Sequence, residues 1–371
     1  MGATKRRRFY VLTQPLDGRS VAAQWLSDVG GWSPTVPRHY SKVCRRKLLP
    51  AAGPCLAVLS GCSGIQSALD PGGEEARQVA QLFWVMVAAG GLIWLAVAGL
   101  QVYATRKRRH GIGEVAAGRL IFWGGAAMPA LLLFLLLGYA LWLMPGLRPF
   151  PNSDEAPELR IEVTGEQFWW RVAYRPTDGG APVLSANEIR LPVGERVEFL
   201  LTSTDVIHSF WIPSLGGKMD MIPGRVNRFS LLATKAGTYR GPCAEYCGTS
   251  HALMAFTAVA MEPEAFWEWL KTRSAASAGV QSAGRDLFLR HGCGACHRVA
   301  GTEASGDVGP DLSHIGSRAN LGAGILPNDE QALRNFIAHP HLIKPGSKMP
   351  GFDMLPEHEI AGIAAWLKGL E

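Results

Sequence analysis

No aspartate, glutamate, lysine or arginine interrupts the chain from Val79 to Thr105 or from Leu120 to Leu147, and neither run contains a histidine. Each run exceeds the roughly 20 apolar residues that a bilayer-spanning helix needs. Without a histidine in either run, this chain is not expected to ligate a haem or copper within the bilayer. A disulfide framework is lacking as well. The seven cysteines of the 371-residue chain are Cys44, Cys55 and Cys62 near the N-terminus and two close pairs, Cys243/Cys247 and Cys293/Cys296, each with a histidine at hand. That distribution fits metal or cofactor sites better than cross-links. A basic face on a folded domain is also absent. The formal charge of +6 comes from residues 1–61, with ten Lys/Arg against two Asp/Glu, and from residues 62–150, with seven against four. Residues 151–371 carry 20 against 25, which removes the electrostatic footprint of a nucleic-acid-binding protein.

Five segments follow along the chain. Residues 1–61 form a leader: Arg45, Arg46 and Lys47 precede an apolar core from Leu48 to Leu59, and Leu59-Ser60-Gly61-Cys62 closes it. The core is too short to span, and the pattern is that of a secretory signal of lipoprotein type, with Cys62 as the lipidated first residue. Residues 62–150 form a membrane hairpin with spans at about 79–105 and 120–147. The basic loop Arg106-Lys107-Arg108-Arg109-His110 between them stays in the cytoplasm, so everything after Arg148 lies outside. Residues 151–263 read as short strands, because Leu159 to Thr164 and Arg196 to Leu201 alternate with period two and Pro and Gly punctuate the intervals. A sandwich or barrel is expected. Residues 264–279 give a short helix from Pro263 to Leu270 and then an Ala/Ser-rich linker, Lys271 to Gly279. Residues 280–371 read as all-helical with Pro/Gly loops.

The strand region holds Cys243-Ala-Glu-Tyr-Cys247-Gly-Thr-Ser-His251-Ala-Leu-Met254, with His208 upstream at a strand end. Thiolates, imidazoles and a weak thioether suit copper. Two thiolates on one loop can bridge two ions. Each ion then takes one imidazole, His208 or His251, and one weak ligand, Met254 or the backbone carbonyl of Glu245. Such a pair spreads one electron over two metals and leaves no open position for a substrate, which makes it a relay. A structural zinc site of type Cys-x3-Cys-x3-His has no use for Met254, and a mononuclear blue-copper site needs a single cysteine.

The helical region holds Cys293-Gly-Ala-Cys296-His297, a c-type haem attachment motif. The cysteines supply thioether bonds and His297 an axial ligand. Lys348-Met349-Pro350 offers the second, since a Met/His pair raises the haem potential. Met354, His314, His339, His341 and His358 compete with Met349 for that position.

The copper constellation, with Gly165-Glu-Gln-Phe-Trp-Trp170 and Met221-Ile-Pro-Gly-Arg225, resembles subunit II of cytochrome c oxidase over about residues 70–262. Residues 280–371, including Gly309-Pro310-Asp-Leu312, resemble class I cytochromes c, as in the caa-type oxidases. The resemblance implies a multi-domain membrane protein: a two-helix transmembrane hairpin, a cupredoxin-like Greek-key β-sandwich and an all-α cytochrome domain. It implies a dinuclear copper centre, one covalent haem c, and a Mg²⁺ or Mn²⁺ held by Glu245 at the boundary with subunit I. Phe168, Trp169 and Trp170 become candidate electron-input aromatics, although large aromatics on a strand are usually core and many relatives carry Trp where Phe168 stands. The glutamate that many relatives place just before the second span is also missing here, where Ala117-Gly118-Arg119 stands and Glu114 is the nearest acid. The implied function is the electron-input subunit of a terminal oxidase in a bacterial inner membrane, coupled to proton pumping. It would be partnered by subunits I and III and a periplasmic donor such as cytochrome c, with O2 reduced in subunit I. Alternative readings are the copper subunit of a nitric oxide reductase and a copper-delivery module. A quinol oxidase is disfavoured, since a direct quinol route makes both metal sites redundant.

Overall fold

Two helical runs account for the charge-free stretches. The computed structural model describes residues 63–106, 113–147, 159–175, 180–274 and 281–371; the leader and Cys62 lie outside them. Helix α1, Glu74–Arg106, starts ahead of its uncharged run because Glu74 and Glu75 suit a helix N-terminus, and Arg106 closes it. The second run is α2, Glu114–Phe122, a π turn at Trp123–Ala127, and α3, Met128–Leu143, ending in a 3-10 turn at Met144–Leu147. Both runs are long and apolar enough to cross a membrane, with mean hydropathy of 2.1 and 2.3, and no part of either apolar window is buried in protein. The aliphatic and aromatic side chains, Trp94 and Trp142 among them, point outward, as a lipid-facing surface requires.

Ten strands build the outer β domain: β1 Leu159–Glu166, β2 Trp169–Arg175, β3 Val183–Ala186, β4 Glu188–Pro192, β5 Arg196–Ser203, β6 His208–Trp211, β7 Lys218–Met221, β8 Asn227–Leu232, β9 Gly237–Pro242 and β10 Ala255–Met261. One sheet has the order β3-β2-β1-β5-β8 and another β4-β10-β9, while β6 and β7 pair as a hairpin. The pairs β1/β5 and β4/β10 are parallel, so the chain crosses over instead of meandering. Leu159, Ile161 and Val163 of β1 are buried between more exposed neighbours, the period-two pattern of a half-buried strand. The core gathers Ile161, Val163, Trp170, Phe199, Leu201, Phe210 and Phe256. Trp170 packs edge-on against Phe210 and Phe256. Glu198 is fully buried on β5 yet satisfied, because Arg160 and Arg228 both pair with it.

The start of α1 is clamped to this domain. The Gly72 N–H donates to Ser214 O at 2.7 Å, Thr234 N–H to Gly72 O at 2.7 Å and Ala76 N–H to Leu215 O at 3.1 Å. A Cβ on Gly73 would lie 2.4 Å from Leu215 O, so only glycine allows this approach. Buried Glu75 takes Arg196 at 2.6 Å and the Leu232 N–H at 3.1 Å. Removing one partner of a covered pair strands the other. Glu75→Ala is therefore expected to cost roughly 2 kcal/mol, discounted because the Arg196 side chain is 28 % exposed, and to lower the thermal midpoint of the outer domain in detergent. An unchanged midpoint would show the clamp to be incidental.

Helix α4, Pro263–Ser274, runs one turn further than the sequence suggests. Lys271 and Arg273 complement its C-terminal dipole, so Lys271–Ser274 is helix and not linker. The last domain packs α5 Ala283–Arg290, α6 Glu330–Ala338, the short α7 Pro340–Ile343 and α8 Glu357–Lys368, with a two-residue pairing of β11 Asn320–Leu321 and β12 Leu326–Pro327. Ser282 caps α5 and Asp329 caps α6 with side-chain hydrogen bonds. Helices α5 and α8 cross closely: a Cβ on Gly284 would sit 2.2 Å from Gly362 O, and Phe288 meets Trp366 beside this crossing.

Candidate metal centres

The loop between β9 and β10 brings the sulfur and nitrogen donors together. Cys243 Sγ lies 3.9 Å from Cys247 Sγ, 3.8 Å from His208 Nδ1 and 3.3 Å from Glu245 O. Cys247 Sγ lies 3.6 Å from His251 Nδ1 and 3.8 Å from Met254 Sδ. Each sulfur thus faces the other, one imidazole and one weak donor. His208 opens β6 rather than closing a strand, and is fully buried. His251 sits in a 3-10 turn, His251–Leu253. The thiols share their protons unequally. The hydrogen bond between the two sulfurs, with help from His208, holds Cys243 well below the ordinary thiol range, and that same bond, then burial and the neighbouring charge, pushes Cys247 well above it. Both become thiolates together only against added positive charge, which a bound soft metal centre would supply. The donor set therefore fits the group expected from the sequence.

The surrounding residues hold these ligands in place. His208 Nε2–H donates to Asp205 Oδ1 at 2.9 Å, which turns Nδ1 toward Cys243. Asp205 Oδ2 accepts from the Gln167 N–H at 2.8 Å, and Gln167 Nε2 donates to Cys247 O at 2.5 Å. Gly165 lies against the His208 ring, where a Cβ would come within 2.8 Å of Cδ2. The Glu245 carboxylate is 45 % exposed, 3.8 Å from Lys218 Nζ.

A cavity in the last domain is lined by Cys293, Cys296, His297 and Met349, with walls from Phe288, Leu333, Ile337 and Leu367. His297 Nδ1–H donates to Pro310 O at 2.8 Å, leaving Nε2 free, and burial lowers the proton affinity of the ring. Met349 packs against the core, whereas Met354 is 73 % exposed. Met354, His314, His339, His341 and His358 do not line the cavity. Two basic side chains do, the half-buried Arg318 and the buried Lys344. Arg318 is held by Asp311 O, and Lys344 donates from Nζ to Gly322 O at 2.7 Å, with burial pushing its ammonium down to about 7. An apolar slot with two thiols, an available imidazole nitrogen, a thioether and two basic side chains suits a haem and its two carboxylates.

The three aromatics after Gln167 differ in placement. Trp170 is core, within 6.1 Å of the His208 ring. Phe168 and Trp169 line the cavity, and the Arg171 guanidinium covers the Trp169 ring at 4.8 Å. The sequence reading missed Gly165, Gln167, Asp205, Arg318 and Lys344. The first two stand within a stretch already singled out, and Asp205 precedes His208 by three residues; Arg318 and Lys344 carry no local signal.

Comparison with known proteins gives two matching family descriptions: "Cytochrome C oxidase subunit II, periplasmic domain" over residues 177–261 and "Cytochrome c" over residues 281–371. The chain is 32% identical over 330 residues to cytochrome c oxidase subunit 2 of Alkalihalophilus pseudofirmus, covering 84% of this chain and 94% of that protein. It is 31% identical over 362 residues to the Bacillus subtilis protein of the same name, covering 90% and 98%. The crystal structure of the periplasmic domain of subunit II of cytochrome oxidase (CoxB) of Bradyrhizobium japonicum matches at 34% identity and a TM-score of 0.30, covering 32% of this chain and 96% of that one.

Proposed function

This chain belongs to the cytochrome c oxidase subunit II family and carries a cytochrome c domain, and on that premise we propose that it is the electron-input subunit of a haem–copper terminal oxidase. The observation that supports this most directly is the contact of each loop sulfur with the other, one imidazole and one weak donor. His208, Cys243, the Glu245 carbonyl, Cys247, His251 and Met254 would hold two copper ions; Cys293 and Cys296 would hold one haem c covalently, with His297 and Met349 as axial ligands. Such groups would supply one-electron redox chemistry, relaying electrons from a periplasmic donor such as cytochrome c toward a haem in subunit I.

The protein's own part is to orient and insulate. Asp205 fixes the His208 ring, Pro310 fixes His297, and Arg318 and Lys344 would neutralise the haem carboxylates. Glu245, exposed beside Lys218, would face a Mg²⁺ or Mn²⁺ at the subunit I boundary. With no histidine in either span, O2 reduction and the coupled proton pumping fall to a partner, with subunit III alongside. On this reading residues 1–61 would be a leader with Cys62 acylated, 62–150 the hairpin, 151–263 the copper domain, 264–279 a helix and linker, and 280–371 the cytochrome domain, in a bacterial inner membrane.

Metal and haem analysis of the purified complex, with O2 and nitric oxide uptake measured in parallel, tests this reading. Two coppers and one covalent haem per chain, with O2 consumed, are expected. Zinc or a single cupric ion would overturn the relay, and nitric oxide consumption without O2 uptake would move the subunit to a reductase.

A further inference from the structure

The segment 344–349 belongs to the cytochrome domain but touches the copper loop and its supports repeatedly. At its start, Lys344 is anchored inside its own domain through Gly322 O. Pro345 O then accepts from the Ser250 hydroxyl at 2.6 Å, and Ser250 is fully buried beside His251. Gly346 lies against the Phe168 ring, where a Cβ would come within 3.2 Å of Cε2, and a Cβ on Gly248 of the copper loop would come equally close to Cε1 of the same ring. Lys348 Nζ is 3.6 Å from Asp205 Oδ2, and that carboxylate holds His208. Met349 ends the segment at the cavity.

Tethering two domains raises their effective concentration without choosing their orientation. These contacts choose it. We propose that residues 344–349 form a positioning strap that registers the Met349 side of the haem pocket on the copper loop, with Ser250, Phe168 and Asp205 as its receptors, so that electrons leave the cytochrome domain on that side. This rests on reading the two sites as a haem and a copper pair. Two residues, Lys348 and Asp205, separate the Met349 ligand from the His208 ligand, and Ser250 adjoins His251. Small changes in these contacts therefore alter the separation and relative orientation of the two centres.

The test uses the whole oxidase complex and follows the haem-to-copper step after photoreduction of the haem. Ser250→Ala leaves a carbonyl without its partner and is expected to slow the step about fivefold. Lys348→Gln removes an exposed and weaker contact and is expected to slow it about twofold to threefold, with Lys348→Arg restoring the rate. Throughout, the near-infrared band of the copper pair and the methionine–iron charge-transfer band stay unchanged, which separates positioning from loss of a ligand. Should Ser250→Ala disturb the copper band through His251, the Lys348 variants decide alone. Unaltered rates with intact bands overturn the strap. Absence of either band in the unsubstituted protein overturns the metal-site reading first, and the strap with it.

Discussion

Replacing Cys247 by serine is expected to abolish the proposed copper pair and, with it, to reduce electron delivery at least a hundredfold. Cys247 is the hub of the cluster, since its sulfur meets Cys243 at 3.9 Å, His251 at 3.6 Å and Met254 at 3.8 Å. A serine hydroxyl stays protonated and cannot bridge two soft ions as a thiolate does. Losing a residue that merely supports a ligand already costs about 10- to 100-fold in metal affinity, so losing a bridge costs more. Copper per chain should fall from two to one or none, and the near-infrared band should vanish. The fold should persist, because the change removes no large apolar side chain from the core. A variant that kept two coppers and turned over within about tenfold of the parent would refute the bridging role.

Gly309→Val should have a comparable effect on the other centre by a different route. A Cβ at this position would stand 2.6 Å from His297 Cε1 and 2.8 Å from Nδ1, and the ring cannot give way without breaking its bond to Pro310 O. The two attachment cysteines are untouched, so covalent haem content should hold on a denaturing gel. The axial histidine should nevertheless be displaced, with a fall in haem potential and a loss of electron flow of roughly a hundredfold. Normal iron ligation in that variant would mean that the loop around Gly309 is softer than its packing implies.

What could be read from the sequence divides along physical lines. Periodicity exposed β1 and β5, and absence of charge exposed the two spans, because both signals are local. The Cys243–Met254 cluster was equally legible, since most of its donors share one loop. Choosing Met349 over Met354 was harder: both occur in the same short stretch, and only tertiary packing separates the residue lining the cavity from the exposed one. The supporting roles of Gln167 and Asp205 carry no local signal for a similar reason. The two residues meet each other across 38 residues, and Gln167 reaches Cys247 across 80. Composition misled at Lys271–Ser274, where an Ala/Ser-rich neighbourhood suggested a linker but basic residues at a helix end prolonged the helix. Phe168, Trp169 and Trp170 look alike in sequence, yet Trp170 fills the β core, Trp169 lines the cavity and Phe168 belongs to both.

The clamp at the start of α1 has a mechanical consequence. The uncharged run of this helix, Val79 to Thr105, is about 40 Å long, beyond the ~30 Å hydrocarbon thickness, so the helix tilts, bends or thickens the bilayer around it. With Gly72, Gly73 and Glu75 fastened to the strands, no swivel intervenes between rod and head. Any lean is carried straight into the pose of the extracytoplasmic module, which makes lipid thickness itself a determinant of how squarely that module meets the membrane-embedded surface below it.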